Sequence, residues 1–133
     1  MTQTAQQENH AEEQAKTQMD SIREMVLTLR AAKTDEEREE AEDAIHEDPL
    51  SVEVRGDWHT PGEKGSAGVS EYKILLCTGG PAVQIVGELN QCGEPETAEI
   101  QHQDWFLPWT TYRVDEEDTE ILLEYARQFY FAE

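Results

Sequence analysis

The residue types able to do chemistry in this chain fall into two arrangements. The first is Cys77 at the end of an apolar run, followed by Thr78, Gly79 and Gly80. A thiol there could act as a nucleophile, the glycine amides could hold an oxyanion, and His102 is the candidate base. The run Thr78-Gly79-Gly80-Pro81 is more simply a hairpin turn, and a lone histidine in a strand is more often a satisfied or half-exposed residue. No phosphate loop, dinucleotide fingerprint or nucleophile elbow accompanies them, so the chain is read as a protein without enzymatic activity. His10, His46, His59 and His102 are scattered without an HxxxH or HExxH spacing, which gives zinc no support. Neither a metal nor a cofactor is expected. Cys77 and Cys92 lie fifteen apart with no CxxC and are expected to be free thiols.

The second arrangement is a run of carboxylates. Between Asp35 and Asp48 stand Asp35, Glu36, Glu37, Glu39, Glu40, Glu42, Asp43, Glu47 and Asp48 against a single Arg38. The run lacks the glycine and the alternating ligand spacing of a calcium loop. On a helix, Glu36, Glu40, Asp43 and Glu47 fall at steps of four, three and four, which makes one row of like charges. Each such neighbouring pair costs about 0.2–0.5 kcal/mol. The helix dipole would offset this for Asp35, Glu36 and Glu37 in the first turn, but Glu47 and Asp48 sit at the wrong end. At about 1.5 Å of rise per residue the helix spans roughly 20 Å and carries one acid per about 2.4 Å, comparable to duplex DNA at one charge per about 1.7 Å. A solvated face that keeps a small protein soluble is the plain alternative.

The excess is global. Of 133 residues, 30 are Asp or Glu and 10 are Lys or Arg, a net charge of -20. Acids outnumber bases 14 to 5 in residues 1–50, 9 to 3 in 51–108 and 7 to 2 in 109–133. Direct binding to nucleic acid or to an anionic membrane is excluded by sign. The longest uncharged stretch, Ile74 to Gly87, has 14 residues, too few to span a bilayer. Residues 1–20 carry neither a basic start nor an apolar core, so no secretory signal is expected and the cytoplasm is the expected compartment.

Elements must position these groups. Residues 1–14 are polar and read as a tail or frayed helix on which nothing packs. Ala15, Met19, Ile22, Val26 and Leu29 form one stripe of a helix to about Ala32. The stripe is also a heptad seam of about two heptads, so packing on the domain is preferred over a homodimer through it. A capping box at Thr34 and Glu37 opens a second helix to about His46, with Ala41, Ala44 and Ile45 as its apolar face. The two helices form a hairpin over residues 15–48. Leu50, Val52 and Val54 alternate as a half-exposed strand, residues 57–70 are a long loop, and residues 71–77 and 82–89 pair as a hairpin. A turn at 90–95 leads to a strand over 97–106, and residues 115–131 form a helix burying Ile121, Leu122, Tyr125, Ala126 and Phe129. Asp115 caps that helix, and the acids after it meet the positive end of its dipole. Trp105, Phe106, Pro108, Trp109 and Tyr112 read as core, while Trp58 beside the loop reads as an exposed anchor. The sum is one α+β domain over residues 15–133: a helical hairpin, an antiparallel sheet of about four strands, and a C-terminal helix packed on it.

In the segments EYKILLCTGGPAVQIVGEL (Glu71 to Leu89), QDWFLPW (Gln103 to Trp109) and ARQFYFAE (Ala126 to Glu133), the chain resembles small acidic proteins of unknown function that recur in bacteriophages and mobile elements. It is similar in character to anti-CRISPR and anti-restriction inhibitors that act as DNA mimics. The resemblance implies a partner that is a basic nucleic-acid-binding protein of a host defence system, and it carries over no functional residues. The contact residues expected from the sequence are Glu36, Glu37, Glu39, Glu40, Asp43, Glu47, Asp48 and Trp58. A structural or adaptor protein, acidic only for solubility, with a homodimer through the first helix as one form of it, is the other reading.

Overall fold

A computed structural model describes residues 2–56, 61, 69–78, 81–104, 107–129 and 131, with side chains from residue 10 onward except that of Val69. The elements are α1 (Thr2–Ala31), α2 (Asp35–Glu47), β1 (Ser51–Gly56), β2 (Val69–Cys77), β3 (Ala82–Glu88), β4 (Glu99–Gln103), β5 (Thr110–Thr111) and α3 (Glu116–Ala126). The strands form one antiparallel sheet in chain order, β1-β2-β3-β4-β5. The class is α+β as the sequence predicts, with five strands rather than about four.

Alternation sets the two faces of the sheet. Tyr72, Ile74, Leu76, Val83, Ile85 and Ile100 point to one side, where Ala15, Met19, Ile22, Val26, Ile45, Ile121, Leu122, Tyr125 and Ala126 from the helices complete the core. The stripe of α1 is thus consumed inside the protein: Ala15, Ile22 and Val26 are 0 % exposed. The seam through which a dimer would have formed is occupied by the chain itself. The helix also begins well before Ala15, and Ala11, in the segment read as a tail or frayed helix with nothing packed on it, is buried. Glutamine, glutamate and alanine are good helix formers, so the segment continues the helix without an apolar stripe of its own.

The caps are in place. Thr34 Oγ1 accepts from the Glu37 amide at 3.1 Å, and the Glu37 carboxylate reaches back to the Lys33 amide at 2.8 Å. Asp115 Oδ1 accepts from the Asp118 amide at 2.8 Å. The α3 helix stops at Ala126, short of the expected 131; the chain beyond it turns so that Phe131 rests on the Tyr72 ring with centroids 4.9 Å apart. Two arginines of α1 tie α3 down: Arg23 grips both carboxylate oxygens of Asp118, at 3.0 and 2.7 Å, and Arg30 meets Glu124 at 2.7 Å.

Other details depart from the sequence reading. Ala44 is exposed while Ala41 and Ile45 are buried, which narrows the apolar face of α2. Strand β4 ends at Gln103, five residues before Pro108. Of the aromatic cluster expected as core, Tyr112 packs against the core, Trp109 is half-buried and Pro108 is exposed, and Trp105 and Phe106 lie outside the described residues. At the turn after β3, Asn90 Oδ1 accepts from the Cys92 and Glu94 amides, and Gly93 takes φ 79°, a conformation side chains disfavour.

Candidate functional site

The second helix forms because Thr34 caps it and Ala41 and Ile45 give it a two-residue anchor in the core. Most of its other side chains face water. At about 100° per residue, Asp43 lies directly opposite the midpoint of Ala41 and Ile45, and Glu36, Glu39, Glu40 and Glu47 fall within about 60° of it. All five are exposed, and among the described residues none makes a hydrogen bond or ion pair. The outward face of α2 is therefore a strip of five unneutralised carboxylates.

Two carboxylates assigned to the same surface do other work. Glu37 is the reciprocal half of the N-terminal cap. Asp48, half-buried at the C-cap, accepts the Tyr125 hydroxyl at 2.7 Å and so points toward α3. Burial and that bond together hold the Tyr125 hydroxyl far above its ordinary pKa. His46 Nε2 lies 2.6 Å from the Gln128 carbonyl and its ring meets Phe129 edge-on at 5.6 Å. These contacts pin the C-terminal turn of α2 and with it the direction of the acidic strip. Trp58, the expected apolar anchor, lies outside the described residues, as do His59 and most of the loop 57–70.

The Cys77 arrangement does not assemble. Cys77 pairs with Val83 and Val83 with His102, so the two backbones stand two strand spacings apart, about 9–10 Å, with β3 between them. Burial pushes the Cys77 thiol up, only softened by bonds with Val83 and Gln14, the reverse of an activated nucleophile. Gly79 and Gly80 lie outside the described residues. Cys77 and Cys92 are both free. Among the described residues no group of three His, Cys, Asp or Glu is placed to hold a metal ion, and no helix is long and apolar enough to cross a membrane.

The sheet adds an acidic surface that reading along the chain does not reveal. On the face away from the helices a cavity of about 750 Å³ is lined by Glu53, Glu71, Glu88 and Glu99, with Arg55, Lys73, Gln84 and Gln101. Arg55 bonds Glu71, and Gln84, 5 % exposed, donates to Gln101 at 2.8 Å. Glu71 stands directly across from Glu88 in the β2–β3 register, a like-charge pair of the kind sheets disfavour. These four glutamates are spread over 47 residues of sequence, one on each of β1 to β4; the available signal was acids at polar positions of four strands.

Compared with known protein families, with curated proteins and with solved structures, the chain matches none.

Proposed function

We propose that the protein is a non-enzymatic inhibitor that occupies a basic nucleic-acid-binding surface of a host defence complex, a CRISPR effector first and a restriction enzyme next, with α2 standing in for a phosphate backbone. The observation that carries this reading is the outward strip of Glu36, Glu39, Glu40, Asp43 and Glu47, exposed, without partners among the described residues and set opposite the buried face. A helix kept only for stability would intersperse lysine or arginine at these positions. Lys and Arg side chains that normally grip phosphate oxygens would pair with these carboxylates by charge-assisted hydrogen bonds. Opposite fields would steer the encounter, and salt would weaken it.

The dimeric form of the adaptor reading draws on a free apolar seam along α1, and the Ala15, Ile22 and Val26 positions of that seam are buried in the protein's own core. The test is to replace Glu36, Glu40, Asp43 and Glu47 with Gln and measure inhibition of DNA binding by a panel of CRISPR effectors and restriction enzymes. Loss of inhibition with the fold intact is expected; unchanged potency would discard this face.

A further inference from the structure

The sheet has two edges, and they differ. At one end β5 contributes only Thr110 and Thr111. At the other, β1 offers six residues that pair with β2 alone, leaving one row of backbone amides and carbonyls without a strand beside it among the described residues. Cover over β1 is partial: Val54 packs against the core, but its neighbours on that face do not. Val52 sits opposite the fully buried Ile74 yet is 38 % exposed, and Leu50, on the same face, is 60 % exposed. On the other face Glu53 is exposed and without an ion pair or hydrogen bond among the described residues, while Arg55 is committed to Glu71. Proteins that do not use such an edge usually shorten, charge or cover it. Here the strand presents apolar Val52, with Leu50 just before it, on one side and on the other Glu53, which stands across from Lys73 but makes no ion pair among the described residues.

We propose that β1 is a second docking element, which accepts an extended segment of a cationic partner as a sixth strand of the sheet. Alternation fixes the chemistry of that segment: apolar side chains beside Leu50 and Val52, and Lys or Arg beside Glu53, at every second residue. A second copy of this chain is the other conceivable occupant, since an antiparallel β1 pair centred on Val54 would set Glu53 against Arg55. Two exposed ion pairs contribute little, whereas two copies would each bring a net charge of -20 to the contact, so the charge balance favours a cationic strand. The inference rests on the cationic partner of the proposed function and adds a contact that α2 does not supply.

The experiment uses the isotopically labelled full chain and a synthetic octapeptide alternating Val and Lys at moderate salt. Saturable shifts and slowed amide exchange confined to residues 51–56 are expected, and they should persist when Glu36, Glu40, Asp43 and Glu47 are all Gln. The same peptide with alternate backbone nitrogens methylated keeps its charge but loses the ladder bonds, and should bind about tenfold more weakly or worse. Equal binding of the methylated peptide, or perturbation at α2 alone, would overturn the proposal. So would β1 protection that grows with chain concentration in the absence of peptide, which would assign the edge to self-association. Failure of the α2 reading shows elsewhere, as unchanged inhibition by the four-Gln variant.

Discussion

Replacing Glu36, Glu40, Asp43 and Glu47 together with Gln should make the fold more stable while removing the proposed activity. The exposed strip of α2 contains five like-charge neighbours at three or four residues: Glu36–Glu39, Glu36–Glu40, Glu39–Asp43, Glu40–Asp43 and Asp43–Glu47. Every one of them loses at least one charge in the variant. At about 0.2–0.5 kcal/mol each, the relief is about 1–2.5 kcal/mol. Neutralising Glu36 forfeits a favourable dipole contact in the first turn, and neutralising Glu47 removes an unfavourable one in the last, so these nearly cancel. Gln and Glu have similar helix propensity. For a chain of this size the gain corresponds to roughly 4–10 °C in melting temperature. Urea unfolding followed by circular dichroism at low salt reads it directly. The gain should shrink at about 1 M salt, where the Debye length is about 3 Å. A variant no more stable than the parent at low salt would refute the reasoning, because the carboxylates would then not be repelling one another and their retention would need no partner to explain it.

Alkaline pH should unfold the protein through its buried tyrosines. Burial pushes the hydroxyls of Tyr72 and Tyr125 up, and the Asp48 carboxylate adds to the effect on Tyr125. The unfolded chain releases those protons near pH 10 and the folded chain keeps them. Their contribution is therefore whole below about pH 10 and is lost above it, at up to about 1.4 kcal/mol per pH unit for each group. Tyr125→Phe should flatten that slope and lower neutral-pH stability by about 1–2 kcal/mol through the lost bond to Asp48; an unchanged alkaline transition would count against it. Gly87→Ala should destabilise by about 1–3 kcal/mol or more, because a Cβ there would overlap the Thr97 carbonyl and stand 2.7 Å from the Tyr72 hydroxyl. A chemical denaturation midpoint indistinguishable from the parent would contradict this. A thiol reagent at neutral pH should modify exposed Cys92 at least about tenfold faster than Cys77, whose thiol is half-buried and held protonated; mass spectrometry of early time points reads the order.

Local chemistry made some elements readable from sequence and left others silent. The steps of Ala15, Met19, Ile22 and Val26 marked the inward face of α1, and the Thr34–Glu37 and Asp115 caps fixed the starts of two helices, because each signal lies within one turn of chain. Thr110 and Thr111 gave no sign of β5, since two residues have no period and their pairing with Gln101 and His102 is decided by the sheet. Val52 alternates like an inward residue and is one, yet its exposure depends on where the helix layer ends, which no local pattern records. Asp48 illustrates the same limit at the candidate site. In sequence it extends the acidic run, but one further residue rotates it toward the Tyr125 hydroxyl.

The arginines of α1 have a consequence for what surrounds the molecule in solution. Arg23 and Arg30 face Asp118 and Glu124 across the α1–α3 seam, so these cations are spent as internal staples. Sodium, potassium and magnesium must therefore gather over the α2 strip as a mobile atmosphere. A protein that docked there with its own cations would expel those ions, and their release would make the union entropy-driven and steeply dependent on electrolyte, much as it is for a nucleic acid.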